Sequence, residues 1–286
     1  MNGIGLPAPA PAPLSAEDLL RLCDFIYRRT GIFYGESKRY YIERRLAQGM
    51  ERSGAHSFTA YMALLRASPS EAEHLFNSIT VNETYFLREE HQFRCLSRSL
   101  LPEIVSRRGP GDLVRLWSMP CSTGEEPYSI AIWLLENWPL VDAYNIEIVG
   151  SDLDTAALAA AAEGLYGERA LSRLSADLLG RYFEAPHEGR RRIIQDLRES
   201  VRFTTANLVD AASMAMQGRF DIVFCRNALI YFDDDSRKAA SRNLFDAINP
   251  GGFLCLGHSE SMARIPGRFA VRRFEDAIVY QRPAAS

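Results

Sequence analysis

The sequence predicts an α/β protein, a doubly wound parallel sheet preceded by a small all-helical unit. From residue 114 onward, short apolar runs that read as strands (114–119, 146–151, 222–225 and 253–257) alternate with helical patterns at about 126–137, 155–163 and 234–248. That alternation implies parallel strands joined by crossover helices and covered on both faces. Before residue 80 only helical spacing occurs, with no strand signal. At 286 residues the chain has room for one large domain or two modest ones.

The elements follow in order. Residues 1–14, ending PAPAPAPL, read as a disordered proline-alanine leader that is extended and buries little. Ser15 is a good N-cap with Asp18 three residues on, and Leu19, Leu22, Cys23, Ile26 and Tyr27 follow at helical spacing. A second helix starts near Ser37 and carries Tyr41, Ile42, Leu46 and Met50; a third runs from Ser57 through Tyr61 and Leu65; a fourth covers 70–79. These make an all-helical N-terminal domain, 15–88. A further helical stretch over 89–107 opens the second domain, 89–286, and SRRGPGD breaks it at 109–111. The segment 164–205 interrupts the alternation and is expected to form a small, partly β insert. The tail FAVRRFEDAIVYQR reads as an antiparallel hairpin turning at Glu275 and Asp276.

Composition excludes several classes. A net charge of -3 gives no bulk attraction to nucleic acid or membrane surfaces. No apolar run reaches the roughly 20 residues of a membrane span, and the N-terminus lacks the basic flank and apolar core of a signal peptide. Five scattered cysteines form no CxxC, and the histidines have no metal-ligand spacing. The expectation is a reduced, cytoplasmic protein without a metal.

The stretch VRLWSMPCSTGEEPYS (114–129) carries the most chemistry. It reads as a buried strand, a tight turn of small residues, and a helix opening with Glu125 and Glu126. Ligands of such sheets bind where a parallel strand ends and the next helix begins. A helix start normally attracts phosphate, but here two acids occupy it and would repel one. No Lys follows the turn and no glycine fingerprint is completed, so neither a Walker loop nor a dinucleotide site is present. A cationic ligand with ribose hydroxyls suits the turn, and S-adenosylmethionine has both. Glu125 either accepts from the ammonium of such a ligand or merely stabilises its own helix.

Asp152, in SDLD, ends the second strand, where an acid can bind both ribose hydroxyls; the competing reading makes it or Asp154 a helix cap. In FDIVFCRNALIYF (220–232), Arg226 and Asn227 interrupt an apolar strand and are expected at its carboxyl edge, because an unpaired buried arginine is costly. Tyr231 follows, either lining the reacting end or half-buried beneath a helix. TVNETYFLRE (80–89 and Glu90 beyond) is polar and aromatic at once, and Asn82, Thr84 and Arg88 can fold over the pocket or simply cap it. Pro120-Cys121 resembles the nucleophile dipeptide of cytosine methyltransferases, but it lies in the first turn, so Cys121 reads as a small turn residue and Cys225 as inert packing. The Asn-Pro-Pro-aromatic signature of amino-group methyltransferases is missing.

Together these segments resemble the CheR family of chemotaxis receptor glutamate O-methyltransferases. Its members read T-x-N-x-T-x-F-x-R-E, then W-S-x-x-C/A-S-T-G-E-E-P-Y-S, S/T-D-I/L-D, F-D-x-I/V-F-C-R-N-x-x-I-Y-F and G-H-S-E-S. This chain supplies Thr80, Asn82, Thr84, Phe86, Arg88 and Glu89, then 117–129, 151–154, 220–232 and 257–261, in that order. The resemblance implies a class I, Rossmann-like methyltransferase sheet with a small inserted β-subdomain, S-adenosylmethionine as cofactor and S-adenosylhomocysteine as product. It implies methyl esters on glutamate side chains of chemoreceptors, in the service of sensory adaptation. By carry-over, Asn82, Thr84, Arg88, Glu125, Asp152, Asn207, Leu208, Arg226 and Asn227 contact the cofactor, and Arg88 and Tyr231 lie nearest the methyl. A non-catalytic module of the same fold, sensing the cofactor or its product, is the alternative.

Some members tether to a receptor pentapeptide through a glycine-containing loop before PHEG. Here Tyr182 to Ala185 run straight into Pro186-His187-Glu188-Gly189, so the loop is short and no tether is expected. Between Arg21 and Arg52 lysine and arginine outnumber acids eight to four. Arg44, Arg45 and Arg52 share a helix that offers a docking face for the acidic methylation helices of a receptor, or else a solvated surface.

Overall fold

A computed structural model describes residues 14–261 and 268–284. Of the leader expected over 1–14, all but Leu14 lies outside the described residues. The chain divides into two compact units, Met1–Ile79 and Thr80–Ser286.

Four helices form the first unit: α1 (Ala16–Thr30), α2 (Arg39–Ser53), α3 (Phe58–Ala67) and α4 (Pro69–Ile79). Ser15 caps α1 by accepting from the Asp18 amide at 3.1 Å, satisfying one of the donors every helix start leaves free. The apolar stripe of α1 buries Leu22 and Ile26 against Ile42 and Leu46 of α2, Tyr61 and Leu65 of α3, and Leu75 and Ile79 of α4. One acid enters this core with partners: Glu71 accepts from the Tyr61 hydroxyl at 2.8 Å and pairs with the Arg52 guanidinium.

The second unit carries β1 (Leu113–Ser118), β2 (Asn145–Asp152), β3 (Leu165–Gly167), β4 (Arg190–Arg192), β5 (Val201–Thr205), β6 (Phe220–Cys225), β7 (Ile248–Leu256), β8 (Ala270–Arg273) and β9 (Ile278–Gln281). Seven strands form one sheet in the order β5-β2-β1-β6-β7-β9-β8, and β3 pairs with β4 apart from it. β5, β2, β1, β6 and β7 are parallel. β9 runs antiparallel to β7 and β8, which is the expected tail hairpin. All six residues of β6 are buried, as cover on both faces of a parallel sheet requires. Chain order reverses between β1 and β6, so the crevice at their carboxyl ends is the ligand position of this topology.

The helical stretch expected over 89–107 runs from α5 (Glu90–Cys95) through a wider turn, Leu96–Leu100, into α6 (Leu101–Val105). α7 (Glu125–Asn137) follows β1 and α8 (Thr155–Glu163) follows β2. Then come the short α9 (Glu168–Leu171), α10 (Ala176–Tyr182), α11 (Gln195–Ser200) and α12 (Ala211–Ala215), and finally α13 (Asp234–Ala247) between β6 and β7.

Two boundaries differ from the sequence reading. Residues 201–205, expected in the insert, are the edge strand β5 of the main sheet, in register with β2 from Ile148–Val201 to Asp152–Thr205. A polar ladder fixes them there: Trp117 Nε1 donates to Ser151 Oγ at 2.8 Å, and Ser151 Oγ shares a 2.6 Å bond with Thr204 Oγ1. The insert is thus confined to the β3–β4 hairpin and its helices. Its tip is a two-residue turn with φ of 50° at Glu188 and 73° at Gly189, closed by reciprocal backbone bonds between His187 and Arg190 at 2.9 and 3.0 Å, as in type I′ hairpins. Residues 80–88, placed with the helical domain by the sequence, belong to the second unit. Phe86 is the reason: it is fully buried, its amide bonds the Ala170 carbonyl at 3.0 Å, and its ring meets Tyr166 and Phe183 edge-on.

Candidate functional site

The turn after β1 positions the first acids. The Cys121 amide donates to the Ser151 carbonyl at 2.8 Å, and Gly124 stands at φ 91°. A Cβ at Gly124 would also meet Ala161 Cβ at 2.8 Å, so only glycine lets α7 start this close to α8. The two acids then diverge. Glu126 accepts from Ser118 Oγ and from Arg226 Nη1, both at 2.7 Å. Glu125 is buried and accepts from Thr123 Oγ1 at 2.7 Å. Burial pushes its carboxyl above the ordinary value, against that hydrogen bond.

Asp152 closes β2. Its Oδ2 accepts from the Ser122 amide at 2.7 Å and its Oδ1 from the Asp154 amide at 2.9 Å. Burial outweighs both bonds and pushes the carboxyl up to about 6. Asp154 is the cap of α8, accepting from Ala157 N at 2.9 Å, and its other oxygen takes Thr80 Oγ1 and, at 2.8 Å, Asn82 Nδ2. Asn82 Oδ1 in turn accepts from Ser122 Oγ at 2.8 Å. Segment 80–82 is thereby sewn to the ends of both β1 and β2. The Ala206 amide bonds the Asp152 carbonyl at 3.1 Å, which brings Asn207 and Leu208 alongside. Asn207 Oδ1 holds the Val209 amide at 3.1 Å, and the carbonyl of buried Leu208 accepts from Asn243 at 2.8 Å.

Arg226 leaves β6 and stays buried. Its Nη1 is spent on Glu126; its Nη2 donates to the Arg88 carbonyl at 2.7 Å and lies 3.3 Å from Glu89 Oε2. Burial alone would raise Glu89, but the Arg226 charge and the bond to His258 Nδ1 at 2.8 Å outweigh it and hold the carboxyl below its usual range. Arg88 sits between two residues in the left-handed region, Leu87 at φ 57° and Glu89 at φ 58°. Its guanidinium donates to the Glu83 carbonyl at 2.9 Å and lies over the Tyr85 ring. Among the described residues Arg88 makes no ion pair.

Asn227 is also left-handed, at φ 59°, and its amide donates to Glu260. Tyr231, 38% exposed, lies on the short turn Leu229–Tyr231 that follows. Thr84 is half-buried between Asn82 and Phe86. Cys121 and Cys225 are buried, and burial pushes both thiols far up, away from nucleophilic use.

The sequence singled out the residues at these strand ends but missed those that hold them: Thr80, Ser122, Glu89 and Glu260. All four lie inside the motifs, and their polar character within otherwise apolar surroundings was the available signal. Arg226 lies at the carboxyl end of β6, where the sequence placed it, and it is buried there with both terminal nitrogens bonded to protein groups. The donor set fits a hydroxyl-bearing cation. Asp152 and Glu125 are buried carboxylates with no ion-pair partner among the described residues, and their oxygens retain acceptor capacity.

Residues 82–278 match the family model described as CheR methyltransferase, SAM binding domain, and residues 17–80 match CheR methyltransferase, all-alpha domain. The chain is 47% identical over 268 residues to chemotaxis protein methyltransferase 2 of Vibrio cholerae, with 93% of each chain covered. It is 38% identical to the chemotaxis protein methyltransferase of Klebsiella aerogenes, covering 91% of this chain and 88% of that one. To the enzyme of the same name from Salmonella typhimurium it is 36% identical, with the same coverage of 91% and 88%.

Proposed function

The chain belongs to the CheR methyltransferase family, and from that membership we propose that it methylates glutamate side chains of chemotaxis receptors, giving glutamyl methyl esters. Bound S-adenosylmethionine supplies an electrophilic methyl group and its own leaving group. Asp152 takes the ribose hydroxyls, and Glu125 takes the ammonium. Asn82, Thr84, Asn207, Leu208 and Asn227 complete the contacts, and Arg226 serves them by holding Arg88.

The observation that carries the acceptor's identity is the uncommitted charge of Arg88. Among the described residues its guanidinium has only a carbonyl and a ring for company, so an incoming carboxylate finds a cation that none of their acids has claimed. A glutamate with an ordinary pKa near 4.3 is ionised at neutral pH, so attack needs no general base. The remaining work is to orient the carboxylate and strip its water. Arg88 orients it, and Tyr231 shapes the channel to the methyl.

The receptor docks on the helical domain through Arg44 and Arg45 of α2, without a pentapeptide tether. The tight turn at Glu188 and Gly189 supports the second point, since it leaves no loop to receive a peptide. Titration with such pentapeptides is expected to give no heat, and micromolar binding would contradict this. No helix of the described residues is long and apolar enough to cross a membrane, in keeping with an enzyme that meets receptor methylation helices in the cytoplasm.

The test is to incubate the full chain with methyl-labelled cofactor and receptor cytoplasmic fragments. Label released as methanol by mild alkali, and lost when the receptor glutamates are changed to alanine, is expected. Label that survives alkali would rule out the ester.

A further inference from the structure

The motif GHSES, 257–261, has been given no part in methyl transfer so far, yet its acid is anchored to the carboxyl edge of β6. Glu260 Oε2 accepts from the Asn227 amide at 2.7 Å and from its own Gly257 amide at 2.9 Å, while Oε1 accepts from the Leu229 amide at 2.7 Å. One carboxylate from the loop after β7 thus gathers the backbone that leaves β6. Gly257 makes room for it: a Cβ there would stand 2.9 Å from Glu260 Oε2 and 3.1 Å from Asn227 Nδ2. The gathered segment needs holding, because Asn227 is in the left-handed region and the turn Leu229–Tyr231 begins two residues later.

We propose that Glu260 is a positioning residue for methyl transfer, fixing the backbone of 227–229 and through it the ring of Tyr231. This rests on the reading that Tyr231 borders the transferred methyl. The acid is required for a countable reason. The amides of Asn227, Gly257 and Leu229, with that of Ala228 beside them, point at two oxygens, and an ionised carboxylate offers acceptors at both. A glutamine has one oxygen and must turn an NH₂ against an amide N–H. Its better orientation keeps the oxygen at the Oε2 position, where two amides converge, and abandons Leu229. Glu260→Gln therefore frees the Tyr231 turn while Asn227, on the cofactor side, stays held. Glu260→Ala frees both.

The experiment uses the full chain and compares these two variants with the parent. For Glu260→Gln, kcat with a receptor fragment is expected to fall about tenfold or more, while S-adenosylhomocysteine affinity by calorimetry stays within about twofold. Amide exchange in 227–231 rises and the rest of the molecule is unchanged. For Glu260→Ala, turnover and product affinity both fall. The proposal is overturned if Glu260→Gln turns over like the parent, whether or not exchange at 227–231 rises, or if its kcat and affinity fall together with faster exchange throughout. A parent that forms no alkali-labile ester in the same assay would instead sink the proposed function, and the exchange comparison would still decide whether Glu260 holds the turn.

Discussion

The guanidinium of Arg226 donates to the carbonyl of Arg88 at 2.7 Å, across 138 positions of sequence. The bond holds a residue whose neighbours on both sides are left-handed, a conformation costing of order 1–3 kcal/mol at each non-glycine position. Strain of that size persists only where surrounding groups over-determine it. Arg226 does so with help from Glu126 and Glu89.

Arg226→Gln is therefore expected to destabilise the protein by about 3–5 kcal/mol, since two carboxylates lose their buried cation. Urea denaturation measures this. Turnover should fall further than stability explains, because Arg88 loses its hold. The linked acid gives a pH signature. Glu89 has a depressed carboxyl, so its stabilisation is present above the unfolded value and lost as pH falls through the lower folded one.

Asp152 has the opposite sign. Its folded carboxyl titrates at about 6, above its ordinary value, so its ionisation opposes folding and stability from this group declines as pH rises from about 4 to about 6. The ionised form is the one that suits a cationic cofactor. Affinity for S-adenosylmethionine should weaken as pH drops below 6, and binding at pH 6 should release protons. Calorimetry in buffers of differing ionisation enthalpy reads that release, and a buffer-independent heat would contradict it.

The three arginines of α2 should separate into two kinds. Arg44 is exposed and Arg45 stacks on Tyr41 and donates to Gln48 at 3.2 Å, whereas Arg52 is paired with the buried Glu71. Reversing charge at Arg44 and Arg45 should slow receptor methylation and leave cofactor affinity and Tm alone. Arg52→Glu should lower stability by about 1–3 kcal/mol, because Glu71 is left buried with a like charge beside it. Thermal melts and methylation rates on the same samples distinguish them.

Phe86→Ala should cost about 3–5 kcal/mol as a fully buried ring is removed. Because Phe86 anchors the segment that bears Asn82 and Arg88, cofactor affinity should fall as well, and Phe86→Leu should restore most of both. Denaturation and calorimetry provide the two readouts.

Much of this fold was legible in the sequence, for identifiable reasons. The central strands are continuous apolar runs because both faces are covered, and such runs stand out. β5 also showed strand character but was assigned to the insert, because it is a half-exposed edge strand preceded by the six-residue α11 rather than a full crossover helix. Segment 80–88, polar and aromatic at once, was placed with the helical domain, since nothing local reveals that Phe86 is enclosed by rings about 80 and 97 positions away in Tyr166 and Phe183. At the candidate site, the places of Glu125 at the start of α7 and Asp152 at the end of β2 were readable because strand-end patterns are local. The partners of Arg226 and Glu260 were not, because they come from distant segments that only the folded sheet brings side by side.

The hydroxyl ladder from Trp117 through Ser151 to Thr204 has one more result. It rivets β5 to β2 where Asp152 and Asn207 emerge, so a slip of the outer strand would break the rivet and turn every side chain to the wrong face. The chain between the two rivet points is tied down a second time, since its Tyr166 and Phe183 enclose Phe86 and its Asp154 binds Thr80 and Asn82, so a change inside the insert is felt at segment 80–88 even while β5 keeps its register.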